Sequence, residues 1–154
     1  MNLSKNLTLS EVTKSSVAKN HGINNEPNAE QLENLKTIAN EVFQKIRDHF
    51  GVPIKVSSGF RSEALNKKVK GSKTSDHMKG CALDIDMDGF SSTITNRDVF
   101  NYIKDNLEFR QLIWEFGNYD NPDWVHVSYS RNKNRKQQLK AVKKNGKTSY
   151  INFN

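Results

Sequence analysis

Thiols are almost missing from this chain. Cys81 is the single cysteine, which excludes an internal disulfide and a thiolate metal cluster. Long apolar runs are missing too. No stretch approaches the ~20 residues that a membrane span needs. The opening residues, MNLSKNLTLSEV, lack the roughly 7–15-residue apolar segment of a secretory signal. The expectation is a product made in the cytoplasm, with no membrane span, that reaches any outside target by another route. Acid is missing from the end of the chain: from Arg131 onward there are eight Lys or Arg and no Asp or Glu. The formal net charge of +7 therefore belongs almost wholly to this tail, the remainder being acidic by one charge. A basic face of that kind suits a polyanion such as nucleic acid, an anionic cell-wall polymer or a membrane surface, and equally a solvated hairpin that aids solubility.

No repeat, linker or low-complexity tract divides the 154 residues, so residues 1–154, with the basic region 131–154 included, read as one domain. A hydrophobic share of 34% allows one small core. Thr8-Leu9-Ser10-Glu11 fits a capping box, and His21-Gly22 would stop a helical stretch around Ser16 to Asn20. Asn28, with Gln31 three residues on, opens the strongest helix. Its apolar face is Leu32, Leu35, Ala39, Val42, Phe43, Ile46 and Phe50, and Gly51 ends it. Ile54 to Ser57 reads as a strand, and Ser62 caps a short helix through Val69. Cys81 to Met87 alternates, with Cys81, Leu83 and Ile85 on an apolar side and Ala82, Asp84 and Asp86 on the other. Thr95 caps a further helix carrying Val99, Tyr102, Ile103 and Leu107. Strands follow at Gln111 to Phe116 and Trp124 to Tyr129. Asn145-Gly146 then joins strands at Leu139–Lys143 and Thr148–Phe153 in a type I′ hairpin. Helices first and strands afterwards give an α+β class, N-terminal helices on a mainly antiparallel sheet with a basic C-terminal β-hairpin.

The chemistry concentrates in SDHMKGCALDIDMDG, residues 75–89, where one histidine and four aspartates stand together. Asp84-x-Asp86-x-Asp88-Gly89 matches the first half of an EF-hand loop. The twelfth position, however, is Thr95 instead of a bidentate Glu, and the preceding segment is a strand instead of a helix. Zinc fits better. A loop can bring His77 back to Asp84, and a second imidazole must come from His21, His49 or His126. The first two sit at helix ends, where a solvated or capping histidine is the simpler reading. His126 lies mid-strand on the face of Trp124 and Ser128. That position suits a metal ligand facing a cleft, and equally a hydrogen-bonded histidine on a half-buried strand. Two neutral imidazoles and one carboxylate would leave a tetrahedral position for water, the arrangement of a catalytic zinc. Such a site also needs a carboxylate that takes the water's proton without binding the metal. Asp123, just after Pro122, must then occupy the turn leading into the strand; its plainer role is capping that turn.

Ser75-x-His77-x-x-Gly80-x-Ala82-x-Asp84 followed by Asp123-x-x-His126 resembles the M15 peptidases. These are zinc D-Ala-D-Ala carboxypeptidases and L-Ala-D-Glu endopeptidases that cut peptidoglycan stem peptides, many of them phage endolysins. SSGFRS, residues 57–62, resembles the family segment that bears a substrate-binding arginine. NLTLSEVTKSS and RKQQLKAVKKNGKTSY are similar to a short subgroup found in phages and in bacterial genomes carrying phage genes. The resemblance implies a Hedgehog/DD-peptidase-like fold, with one zinc ion on His77, Asp84 and His126. It implies Asp123 as general base, Arg61 on a substrate carboxylate or the oxyanion, and Ser75 hydrogen-bonded to substrate. Asp86 becomes a partner that orients a ligand, Asp88 a turn residue, and Trp124 a cleft wall or a core aromatic. Glu115, a charge inside the apolar LIWEF, reads as an edge-strand salt bridge ahead of a substrate contact. Cys81 reads as a small buried residue.

The function implied is hydrolysis of a stem-peptide bond by a monomer released to the wall by a holin-type route or carried in a virion, its basic tail holding anionic wall polymer. Two other classes compete. A non-catalytic zinc fold that binds the wall would have no need of Asp123 and Arg61, and a nucleic-acid module on the basic hairpin would leave the His/Asp set unexplained.

Overall fold

The computed structural model describes residues 1–153. The chain is a single α+β domain built on a six-stranded mixed sheet. A short hairpin, β1 (Asn2–Ser4) and β2 (Leu7–Thr8), opens the chain, and nothing in the sequence pattern had marked it. Helix α1 (Leu9–Thr13) follows, with the Thr8/Glu11 capping box formed in both directions. Next comes α2 (Ser16–Asn20), capped by Ser15 and closed at His21. The long amphipathic stretch starts as read: Asn28 and Gln31 cap each other, and α3 covers Ala29–Ile38. Instead of one continuous helix, a π-helical turn at Ala39–Phe43 then separates α3 from α4 (Gln44–Phe50). No Pro or Gly in the stretch foretells it; packing decides it, since Ala39, Val42 and Phe43 are all buried. Gly51, at φ 66°, supplies the left-handed C-cap.

Strand β3 (Val56–Ser58) starts two residues later than expected, and α5 (Glu63–Lys68) is capped by Ser62. A 3₁₀ turn (Asp76–Lys79), capped by Ser75, leads into β4 (Ala82–Ile85). Helix α6 (Asn96–Asn106) carries the Thr95 cap with Asp98 as its reciprocal partner. Strands β5 (Gln111–Glu115), β6 (Trp124–Ser128), β7 (Gln137–Lys144) and β8 (Lys147–Asn152) complete the chain. Asn145 and Gly146 both have positive φ, 51° and 75°, as a type I′ turn requires.

The strand order is β3-β4-β6-β5-β7-β8. Every pairing is antiparallel except β5 with β7. This parallel step places β5 in the interior of the sheet and continues the sheet into the basic hairpin. Side chains on directly opposed residues share a face, so the register fixes the two faces. Leu83, Ile85, Leu112, Trp114, Val125 and Val127 form one face and enter the core with Leu35, Ile38, Phe43, Val99 and Phe100 from the helices. Phe153 closes that core from the hairpin side, its ring 4.7 Å from Phe100 and 5.5 Å from Trp114. The opposite face carries Asp84, His126, Ile113, Glu115 and Trp124.

Candidate metal centre

Three side chains converge on the second face. In the sheet register, Asp84 on β4 stands opposite His126 on β6, and His126 stands opposite Ile113 on β5. His77 arrives from the 3₁₀ turn, whose start is held by Ser75: its Oγ accepts the His77 backbone N–H at 3.2 Å. Gly80 ends that turn at φ 74°, and a Cβ there would come within 2.5 Å of the Gln31 carbonyl. Only glycine therefore lets the loop fold back to the strand against α3. One ligand atom from each of His77, Asp84 and His126 lies within 4.8 Å of the other two. The two imidazole rings are 5.1 Å apart, centre to centre.

The hydrogen bonding assigns the rings. His77 Nδ1 lies 2.6 Å from the Gly59 carbonyl, which can only accept, so Nδ1 carries the proton and Nε2 of the neutral ring carries a lone pair. Nε2 is buried and, among the described residues, has no hydrogen-bond partner, although Asp84 Oδ1 is 3.2 Å away. A buried polar nitrogen left unpaired costs about 1–3 kcal/mol. A cation in contact with it would remove that cost, so the donor set fits a metal ion. His126 Nδ1 is 2.9 Å from the same Asp84 oxygen. Two imidazoles and one carboxylate, with no thiolate, are a donor set that could hold a divalent metal ion. The Gly59 carbonyl is the outer partner that fixes the His77 ring.

Charge is arranged to keep Asp84 ionised. Burial alone would raise its pKa, but the neighbouring imidazoles of His77 and His126, the latter through its hydrogen bond, outweigh burial and hold it well below the ordinary carboxylate range. Burial would depress His126; the hydrogen bond and charge of Asp84, with the charges of Glu115 and Asp76, raise it instead. Arg61 Nη2 lies 3.7 Å from Asp84 Oδ2. Ser58 Oγ and Asn66 Oδ1 accept from its Nε and Nη1 at 3.3 and 3.0 Å. The guanidinium is thus held in place beside Asp84.

The three residues open into a cavity of about 770 Å³, also lined by Arg61, Ser75, Glu115, Trp124, Lys143 and Tyr150. Trp124 therefore walls the cleft, against Phe116 at 5.5 Å. Other expected positions move. Asp86 touches no ligand: its Oδ1 accepts from Asn96 Nδ2 and from the Asp88 backbone N–H, both at 3.0 Å, because β4 ends at Ile85 and the chain turns away. Asp123 does stand in the turn before β6, but it is exposed and does not line the cavity. Cys81 is half-buried instead of buried, lying one residue before β4, and burial raises its thiol pKa. Glu115 is not on an edge strand, and no ion pair holds it among the described residues. His21 caps α2, and His49 stacks on Tyr102 at 4.0 Å, so both stay outside the site.

Residue spacing gave no sign of three further features. These are the Gly59 carbonyl, the ion pair between Arg110 and the buried Asp76 at the cavity wall, and the hairpin residues Lys143, Thr148 and Tyr150 in the cavity. The parallel β5–β7 pairing brings the hairpin there.

A family model described as Peptidase M15 matches residues 5–128, most of the chain and all three converging residues. The chain belongs to the M15 peptidases. The match ends at Ser128, before the basic hairpin begins. No curated protein matches the chain. Among the described residues, no helix is long and apolar enough to cross a membrane.

Proposed function

We propose that this M15 peptidase is zinc-dependent and hydrolyses a peptide bond in the stem peptide of bacterial peptidoglycan. The observation that carries the reading is His77 Nε2, buried without a hydrogen bond beside Asp84 and His126. Bound by these three residues, zinc would polarise a peptide carbonyl and acidify a water.

The chain's own residues do the rest. Gly59 fixes the His77 tautomer, and Asp84, kept ionised, offers the negative charge that a divalent ion needs. Arg61, held by Ser58 and Asn66, presents its remaining N–H groups to a substrate carboxylate or to the oxygen that gains charge. Ser75 and Trp124 border the peptide path. The water's proton goes to a carboxylate of this chain, for which the family resemblance implies Asp123, at the turn before β6. The basic hairpin contributes Lys143, Thr148 and Tyr150 to the cavity, which favours a part of the peptidase cleft over a separate nucleic-acid module. Its outer lysines would hold anionic wall polymer. The protein acts as a monomer on the wall, after release from the cytoplasm or delivery with a virion.

The test is digestion of a purified muropeptide by the zinc-loaded chain, read by mass spectrometry. The expected result is one cleaved stem-peptide bond, with loss of cleavage on chelation and recovery when zinc is restored. A chain that holds one zinc per molecule and cuts no muropeptide would instead be a wall-binding protein.

A further inference from the structure

Arg61 and Val69 line the cavity of the metal centre and also a second cavity, of about 850 Å³. The two spaces meet at these residues, so the cleft continues past the arginine as a groove. His77, Asp84 and His126 line only the first space.

One wall of the groove is the end of the sheet. Strand β3 pairs with β4 on one side and with no strand on the other, and Val56, Ser57 and Ser58 all line the groove. An edge strand leaves main-chain N–H and C=O groups without strand partners, and an extended peptide can pair with them. The groove also has apolar surface to cover. Ile54 and Phe60 lie at its base, while Val69 and Phe90 remain 41% and 48% exposed. Its charge is one-sided. Lys14, half-buried Arg47 and Lys55 line it, and among the described residues none of the three has an ion pair. The one acid there, Glu11, already accepts from the Thr8 backbone N–H and hydroxyl at 2.8 and 2.9 Å. Unpaired cations in a concave site attract an anionic ligand.

These features select one occupant. A strand edge suits a peptide main chain, and a cationic lining suits carboxylates. Continuity through Arg61 makes that peptide part of the molecule being cut. We infer that the groove along β3 binds the acidic, non-reacting part of the substrate peptide in extended form, on the Arg61 side of the bond that is cut. The inference rests on the stem-peptide reading above and deepens it. Arg47 and Lys55 meet the carboxylates, and the β3 edge meets the main chain. Contacts away from the reacting atoms hold substrate and transition state alike, so their loss shows in KM and leaves kcat.

The test compares the zinc-loaded wild-type chain with Arg47→Gln/Lys55→Gln and with a control, Lys36→Gln/Lys45→Gln, whose residues line neither cavity. The substrate is a stem peptide with all its carboxylates free. The groove variant should keep its zinc and its kcat and raise KM about three- to tenfold; the control should change neither constant. Hydrogen exchange on the wild-type chain supplies a second readout, with a stem peptide whose scissile amide is reduced to an amine. The amides of Val56, Ser57 and Ser58 should exchange more slowly when it is bound. An unchanged KM in the groove variant, an equal rise in the control, a loss confined to kcat, or no slowing along β3 overturns this inference and leaves the parent reading intact. A wild-type chain that binds zinc but cuts no stem peptide overturns the parent reading, and this one with it.

Discussion

One face of the sheet holds Leu83, Ile85, Leu112, Trp114, Val125 and Val127, none more than 3% exposed. The other holds Asp84, Ile113, Glu115, Trp124 and His126, reached from the same strands by stepping one residue. The first face meets helices and carries no charge. The second meets solvent through a cavity and gathers two carboxylates, an imidazole of its own and another delivered by a loop. Because strand side chains alternate strictly, one sheet can hold the fold together on one side and keep costly groups on the other. Stability and chemistry are thus separated across a single layer of backbone, and changes on the two faces should fail in different ways.

The sharpest break is on the polar face. His77→Ala should abolish zinc binding and hydrolysis while leaving the chain folded, since it removes the unpaired Nε2 itself; metal analysis and circular dichroism check both halves. On the apolar face, Ile85→Ala should cost about 2–5 kcal/mol in stability. Below the melting transition it should leave zinc affinity within about threefold, read by denaturant unfolding and chelator competition.

The polar face should also show itself through pH in the metal-free protein. The Glu115 pKa is raised from an ordinary 4.5 to about 7, so the folded state holds its proton more tightly than the unfolded state does. The resulting stability is fully present below pH 4.5 and is lost as pH rises through about 7, a total of up to about 3 kcal/mol. Glu115→Gln should flatten this slope in unfolding titrations and leave the separate contribution of His126, whose raised pKa gives stability lost at higher pH. The smallest effect lies away from both faces. The exposed Lys45–Glu41 pair at 3.1 Å should be worth no more than about 0.5 kcal/mol, measured as the change on Glu41→Gln.

Much of this division was readable in the sequence. The caps at Thr8, Asn28, Ser62 and Thr95 are local chemistry and all form where their residues stand. The alternation through Leu83, Asp84 and Ile85 announced a strand with one acidic face, and the spacing of His77 and Asp84 announced their meeting. What escaped depends on partners far apart in sequence. The π turn at Ala39–Phe43 follows from packing. The parallel pairing of β7 with β5 turned an expected edge strand into an interior one, and with it changed the meaning of Glu115. Asp86 looked equivalent to Asp84 by alternation alone, yet β4 stops at Ile85. Where a strand ends is set by its neighbours, and a single sequence does not show them.

The most direct measurement is X-ray absorption at the zinc edge on the chain folded with zinc. One ion per chain, in a shell of nitrogen and oxygen with the outer scattering of two imidazoles, is the expected result. A sulfur ligand from Cys81, a shell with no imidazole scattering, or a chain that takes up no zinc would contradict the convergence of His77, Asp84 and His126 on one ion.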